Sequence, residues 1–234
     1  MGKEKEKLVF FDEAEHKYTD KDGNRLISGT QLIHHFSNPF DPDGEITRKY
    51  ALKHGKTVEE VIADWTQINR ISCEYGTAVH LELEWFINTG EIRESEHKHI
   101  VVQFSEIPFI GRLFSEVMVY SMEDMIAGTV DIIEKLPNNT INILDFKTNK
   151  ELKKTDFWGN TMLHGLWYLP DCNFSHYQLQ LSMYAYMCEL KGLKIGKLTV
   201  LYIHPKKKII EHHECRYMRE EVILMFKKRK EFVV

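Results

Sequence analysis

The chain begins with short strand-like runs of apolar and polar residues, turns to helical spacing, and then mixes the two periods to its end. Leu8-Val9-Phe10-Phe11 and His16-Lys17-Tyr18, followed by turn chemistry in Asp20-Lys21-Asp22-Gly23-Asn24, predict a short hairpin over residues 8 to 27. From Ser28 to Asn69 the spacing is helical: Ser28 or Thr30 caps a helix through Phe36, and Pro39 and Pro42 interrupt the pattern. Thr57 caps a further helix over 58 to 65, with Glu60 three residues on as its capping-box partner. A longer helix is predicted from Glu74 to Asn88, with Val79, Leu83 and Phe86 on one face and Thr89-Gly90 as its end.

After another helix near 94 to 105, strands over 113 to 121, 126 to 134 and 140 to 147 read as a meander, the first pair turned by Met122-Glu123-Asp124. Residues 149 to 175, rich in Gly, Asn, Pro and aromatics, read as a long functional or disordered loop. Helix returns at 176 to 191, strands at 197 to 203 and 208 to 214, and a last helix at 217 to 231. That order predicts an α/β sandwich in which helices cover a central mixed sheet, with a helical N-terminal addition. It divides into 1–72 and 73–234 within one compact unit.

Composition narrows the class. With 234 residues and 43% hydrophobic positions the chain can bury one sizeable core. No apolar run approaches the ~20 residues of a membrane span, and Met1-Gly2-Lys3-Glu4-Lys5-Glu6-Lys7 has no apolar leader, so a cytoplasmic protein is expected. Cys73, Cys172, Cys188 and Cys215 are dispersed without a C-x-x-C pair, which suggests reduced thiols and neither a zinc ribbon nor a disulfide scaffold. A net charge of −4 argues against a surface that coats nucleic acid everywhere, yet leaves room for a locally basic groove. Lysines do cluster, at Lys147, Lys150, Lys153 and Lys154, at Lys206 to Lys208, and at Lys227 to Lys230 around Arg229.

The densest chemistry lies on the hairpin joining Ala127-Gly128-Thr129-Val130-Asp131 to Asp145-Phe146-Lys147-Thr148 through the turn at Leu136-Pro137-Asn138-Asn139. Strand periodicity puts Asp145 and Lys147 on one face and Phe146 on the other. Two carboxylates and an ammonium at one sheet edge suit a hard divalent cation beside an attacked phosphate. They equally suit a weak surface ion pair, and the hairpin alone does not choose. Three further features surround it: Gly76-Thr77-Ala78-Val79-His80 with Glu84 one turn on, Glu116 on the first meander strand, and Gln180 with Tyr184 on the helix after the long loop.

The series G-x-x-x-H, G-x-x-D, D-x-K-T and Q-x-x-x-Y, in this order over residues 75 to 204, resembles the signature of the PD-(D/E)XK nuclease superfamily in its RecB-type branch. That branch includes the AddB and RecB nuclease domains, CRISPR-associated exonucleases and the mitochondrial genome maintenance exonuclease. His16-Lys17-Tyr18 and Ser28-Gly29-Thr30 are similar to the N-terminal region of phage and giant-virus members. The resemblance implies a restriction-endonuclease-like core and a gene of bacterial, phage or viral type. It implies metal ligands at His80, Asp131, Asp145 and the Phe146 backbone carbonyl, and a catalytic lysine at Lys147 that faces the phosphate rather than either carboxylate. Gln180 and Tyr184 are implied to orient that lysine or touch the nucleic-acid backbone, and Glu84 and Glu116 to stand in the outer shell or beside a second ion.

One or two Mg²⁺ or Mn²⁺ ions are therefore expected, His80 tilting the preference toward Mn²⁺. The cysteine spacing does not match the branch's iron–sulfur cluster, so none is expected. No phosphate-binding G-x-x-x-x-G-K-[ST] loop is present, so a helicase or recombination protein would act in trans. The expected activity is exonucleolytic hydrolysis of single-stranded DNA ends in replication, recombination or repair. An endonuclease with the same site and a catalytically silent DNA-binding module are the alternatives. The N-terminal helices and the 149 to 175 loop are expected to arch over the site, Lys150, Lys153 and Lys154 meeting phosphates. Phe157, Trp158, Trp167 and Tyr168 either stack on bases or form the loop's own core.

Overall fold

A computed structural model describes residues 8–13 and 15–232. Met1 to Lys7, the stretch without an apolar leader, lie outside the described residues, as do Ala14, Val233 and Val234. Strands β1 (Val9–Asp12), β2 (Lys17–Asp20) and β3 (Arg25–Ser28) form an antiparallel meander, so the predicted hairpin gains a third strand. The Asp20 carboxylate ties the turn between β2 and β3 by accepting the backbone N–H groups of Asp22 and Asn24.

Helix α1 (Gly29–His35) is capped by Ser28 rather than Thr30: the Ser28 hydroxyl accepts the Gln31 N–H, and the Gln31 side chain accepts the Ser28 N–H. After α2 (Glu45–His54) comes α3 (Val58–Thr89), a single helix of 32 residues where the pattern predicts two. The Thr57 and Glu60 capping box opens it as expected, and Gly90 closes it. Its first half buries only Val61, so no apolar stripe marks that stretch as helix. Residues 72 and 73 fall inside α3, so the N-terminal region and the core share one element.

The rest follows the predicted order: α4 (Lys98–Ser105), β4 (Arg112–Ser121), β5 (Ile126–Lys135), β6 (Thr140–Lys147), α5 (Asn173–Glu189), β7 (Lys194–His204), β8 (Ile209–Cys215) and α6 (Arg219–Lys228). The strands make one eight-stranded sheet in the order β1-β2-β3-β5-β6-β7-β8, with β4 paired to β5. The β3–β5 and β6–β7 pairs are parallel and the others antiparallel. The apolar core beneath α1, α5 and α6 covers one face, and Val79, Leu83, Ile100 and Phe104 of α3 and α4 pack with Phe146 on the other. The protein is thus an α/β fold, its central mixed sheet flanked by helices.

One irregularity in this sheet creates the site. Because β4 occupies one edge of β5 along its whole length, β3 and β6 must share the opposite edge. β3 takes Ile126 and Ala127, β6 takes Ile132 to Lys135, and residues 128 to 131 between them have no strand partner on that edge. The sheet forks there. Gly128 lets α5 close on the fork, since a Cβ at this position would collide with the Tyr184 ring.

The long connection over 148–172 is irregular, as predicted, with one isolated bridge between Thr161 and Pro170. It is nonetheless anchored: Met162 and Leu166 are fully buried, and the Leu163 N–H donates to the Phe36 carbonyl at 2.7 Å. Among the described residues no helix is long and apolar enough to cross a membrane.

Candidate metal centre

The fork brings both helical layers to one recess. A cavity of about 250 Å³ is lined by His80 from α3, Glu116 from β4, Gly128, Thr129 and Asp131 from β5, and Gln180 and Tyr184 from α5. His80 Nδ1 lies 3.7 Å from Asp131 Oδ2, and ligand atoms of His80, Glu116 and Asp131 all fall within 4.8 Å of one another. Asp131 is oriented from below, its Oδ2 accepting the Phe146 N–H at 2.7 Å. On α3, Gly76 permits the approach that aims His80: a Cβ there would lie 2.9 Å from Thr148 Oγ1.

Glu116 reaches this cluster through unusual backbone. It sits inside β4 with φ +49°, a left-handed conformation that costs a non-glycine residue about 1–3 kcal/mol. The ladder skips the Glu116–Asp131 position between Ser115–Ile132 and Val117–Val130. Its carboxyl is pushed up to about 8 by loss of water and by the nearby charges of Asp131, Glu84 and Asp145. Since the residue as a whole is exposed, the crowd of carboxylates is the more telling cause. A residue expected in the outer shell or beside a second ion thus converges with His80 and Asp131.

Asp145 and Lys147 share a face of β6, as periodicity predicts, with Phe146 opposite them in the α3 core. Asp145 is buried and Lys147 nearly so, and Lys147 Nζ lies 2.5 Å from Asp145 Oδ2. This departs from the expectation that the lysine faces the phosphate rather than either carboxylate: inside a water-poor pocket the ammonium pairs with the nearest negative charge. Its other neighbour is the Tyr177 ring, 4.8 Å away. Burial raises the Asp145 pKa, against the opposing pull of Lys147. For Lys147 burial works the other way, but Asp145 and Asp131 prevail and keep it charged. Despite the short distance, Asp145 Oδ2 has no well-aligned hydrogen-bond donor. Asp145 is not among the groups converging within 4.8 Å, so it flanks the cluster rather than completing it.

Gln180 and Tyr184 line the recess but bond to each other, Gln180 Nε2 donating to Tyr184 Oη at 2.9 Å. Tyr177, a turn before Gln180, is the α5 residue over the lysine, and its hydroxyl donates to Asn149 Oδ1. Sequence reasoning passed over it, although positions 177, 180 and 184 share one helical face. Glu84 lies near enough to Glu116 to raise its pKa but is outside the converging trio. Lys150 lines a separate recess with Tyr202, His204, Lys207 and His213. The Lys153 backbone pairs with Asn173 and Phe174, and the Lys154 ammonium lies over the Phe174 ring. Trp158 is exposed and edge-on to Phe157. With Phe157, Trp158, Trp167 and Tyr168 all 61–81% exposed, the loop's own core is Met162 and Leu166 instead.

No family model matches this chain, and no curated protein matches it. Among solved structures it is similar to one described as "Crystal structure of SSO0001", with 17% identity over 88% of this chain and 75% of that one and a TM-score of 0.43. That likeness is too distant to bear on fold or activity.

Proposed function

We propose that the chain is a divalent-metal-dependent DNA nuclease on a restriction-endonuclease-like core, acting at single-stranded ends. The observation that carries this reading is the convergence of His80, Glu116 and Asp131 beside a buried Asp145–Lys147 pair. The donor set fits a hard cation: one imidazole, two carboxylates, and a buried Asp145 oxygen without an aligned donor. A bound Mg²⁺ or Mn²⁺ would lower the pKa of a water and neutralise charge growing on phosphoryl oxygens.

The chain's own groups supply the rest. His80, Glu116 and Asp131 would hold the cation, with Asp145 flanking them, and the Phe146 N–H fixes the Asp131 carboxylate. Lys147, kept charged by Asp145 and Asp131, is a point charge that can turn from Asp145 toward an arriving phosphate. Exposed aromatics on the 148–172 loop support an unpaired strand, because every base offers a face to stack on.

The test is a time course on end-labelled single- and double-stranded DNA with Mg²⁺, Mn²⁺ or EDTA. Degradation is expected with either metal and none with EDTA. Lys147→Ala should abolish cleavage while leaving DNA binding largely intact. Wild-type rates in both Lys147→Ala and Asp145→Asn would falsify the site. Efficient cutting of circular single-stranded DNA would overturn the preference for ends.

A further inference from the structure

The cavity that holds the metal cluster is also lined by the N-terminal meander and the start of α1, through Phe11, His16, Tyr18, Ser28 and Thr30. The Phe11 ring stacks on Tyr18 with centroids 4.6 Å apart at 26°, and His16 meets Phe11 edge-on at 5.2 Å. His16 is exposed at the β1–β2 turn with φ +49°. The Tyr18 hydroxyl is bonded to Thr129 Oγ1 at 2.9 Å, two residues from Asp131, so the aromatic group is held at a fixed reach from the carboxylates. Ser28 and Thr30 hydroxyls lie 3.1 Å apart.

Aromatic rings, hydroxyls and cation ligands lining one cavity match the three parts of a nucleotide: base, sugar and phosphate. We infer that the β1–β3 meander forms a base-binding subsite in which Phe11 and His16 hold the unpaired nucleotide next to the bond being cut. The subsite rests on the nuclease reading and adds what that reading lacks, a role for the N-terminal strands. The whole cavity, cation ligands included, measures about 250 Å³, just below the ~300–1,000 Å³ of drug-sized pockets, which favours a single unpaired nucleotide over a base pair.

The test compares single-stranded oligonucleotides that are intact or carry one abasic residue, placed in turn on either side of the cleaved bond. The full chain is assayed with Mn²⁺. At one of the two placements, wild type should cleave the abasic strand about tenfold less efficiently in kcat/KM, mainly through KM, the size expected from one lost base–aromatic stack. Phe11→Ala should cleave the intact strand as slowly as wild type cleaves the abasic one, and no longer distinguish them. Phe11→Tyr should restore the discrimination. His16→Asn, which keeps a residue tolerant of left-handed backbone, should reduce the discrimination in part without disturbing the fold. Mn²⁺ affinity without DNA, measured by calorimetry, should be unchanged in these variants. Cleavage by wild type without discrimination, or discrimination retained in both Phe11→Ala and His16→Asn, overturns the subsite and leaves the nuclease reading standing. No cleavage of any strand by wild type overturns the nuclease reading and the subsite with it.

Discussion

The two halves of the centre solve the problem of gathered charge in opposite ways. His80, Glu116 and Asp131 line an open recess, where like carboxylates crowd together and raise the Glu116 pKa. Asp145 and Lys147 sit on β6, the strand that pairs with Asp131's own, but inside the protein, each neutralised by the other. The first half is short of positive charge, which is why we propose it as the cation site. The second is internally balanced, which lets it persist where water is scarce. Carboxylates therefore crowd one another in the open half and are paired with an ammonium in the buried one.

Isosteric change in each half should separate the two most strongly. Asp131→Asn keeps an oxygen for the Phe146 N–H but loses the ligand charge. It should cut hydrolysis by at least about a thousandfold, roughly 4 kcal/mol of transition-state stabilisation, and move urea stability by less than about 1 kcal/mol. Lys147→Met strands Asp145 in the interior and should cost about 3–5 kcal/mol in urea unfolding. The double variant Asp145→Leu with Lys147→Met should recover most of that stability without recovering activity. A stability loss under 1 kcal/mol for Lys147→Met would show that water reaches the second half and erase the contrast.

Backbone strain sharpens the comparison further, since it belongs only to the open half. At φ +49°, Glu116→Gly should be more stable in EDTA than Glu116→Ala by about 1 kcal/mol, because glycine accepts the left-handed conformation. Both variants should lose Mn²⁺ affinity.

The smallest effect is expected from a carboxylate outside either half. Asp171 holds Asn38 and His176, and though burial raises its pKa those partners bring it below the usual value. Its stabilisation is present above the ordinary carboxylate range and lost as pH falls through the lowered pKa. Asp171→Asn should flatten the acid limb of the stability curve and leave neutral-pH hydrolysis unchanged, as measured by thermal melts from pH 2 to 7 at about one-unit steps.

What could be read from residues alone depended on how local the cause was. The Thr57–Glu60 capping box was legible because its partners lie three residues apart, as was the β5–β6 hairpin, whose turn residues lie between its strands, whereas Ser28 and Thr30 were equal candidates for the first cap until the structure chose Ser28. Asp145 and Lys147 were paired on one face by strand periodicity. The continuity of α3 was not legible, since its exposed first half has no stripe. Nor was the third N-terminal strand: β3 is four residues long and its pairing partner on the other side is Ile126 and Ala127, about a hundred residues away.

By itself the sequence determined most of the elements, the order of the chemical groups along them and the face that Asp145, Phe146 and Lys147 take on their strand, because these follow from steric periods of two and 3.6 residues. Only the tertiary structure decided that β3 and β6 divide one edge of β5 and leave a fork, that Glu116 turns into it, and that Lys147 is buried against Asp145. Those outcomes depend on long-range pairing and on where water is excluded. Both arise from packing between distant segments, and no local period encodes them.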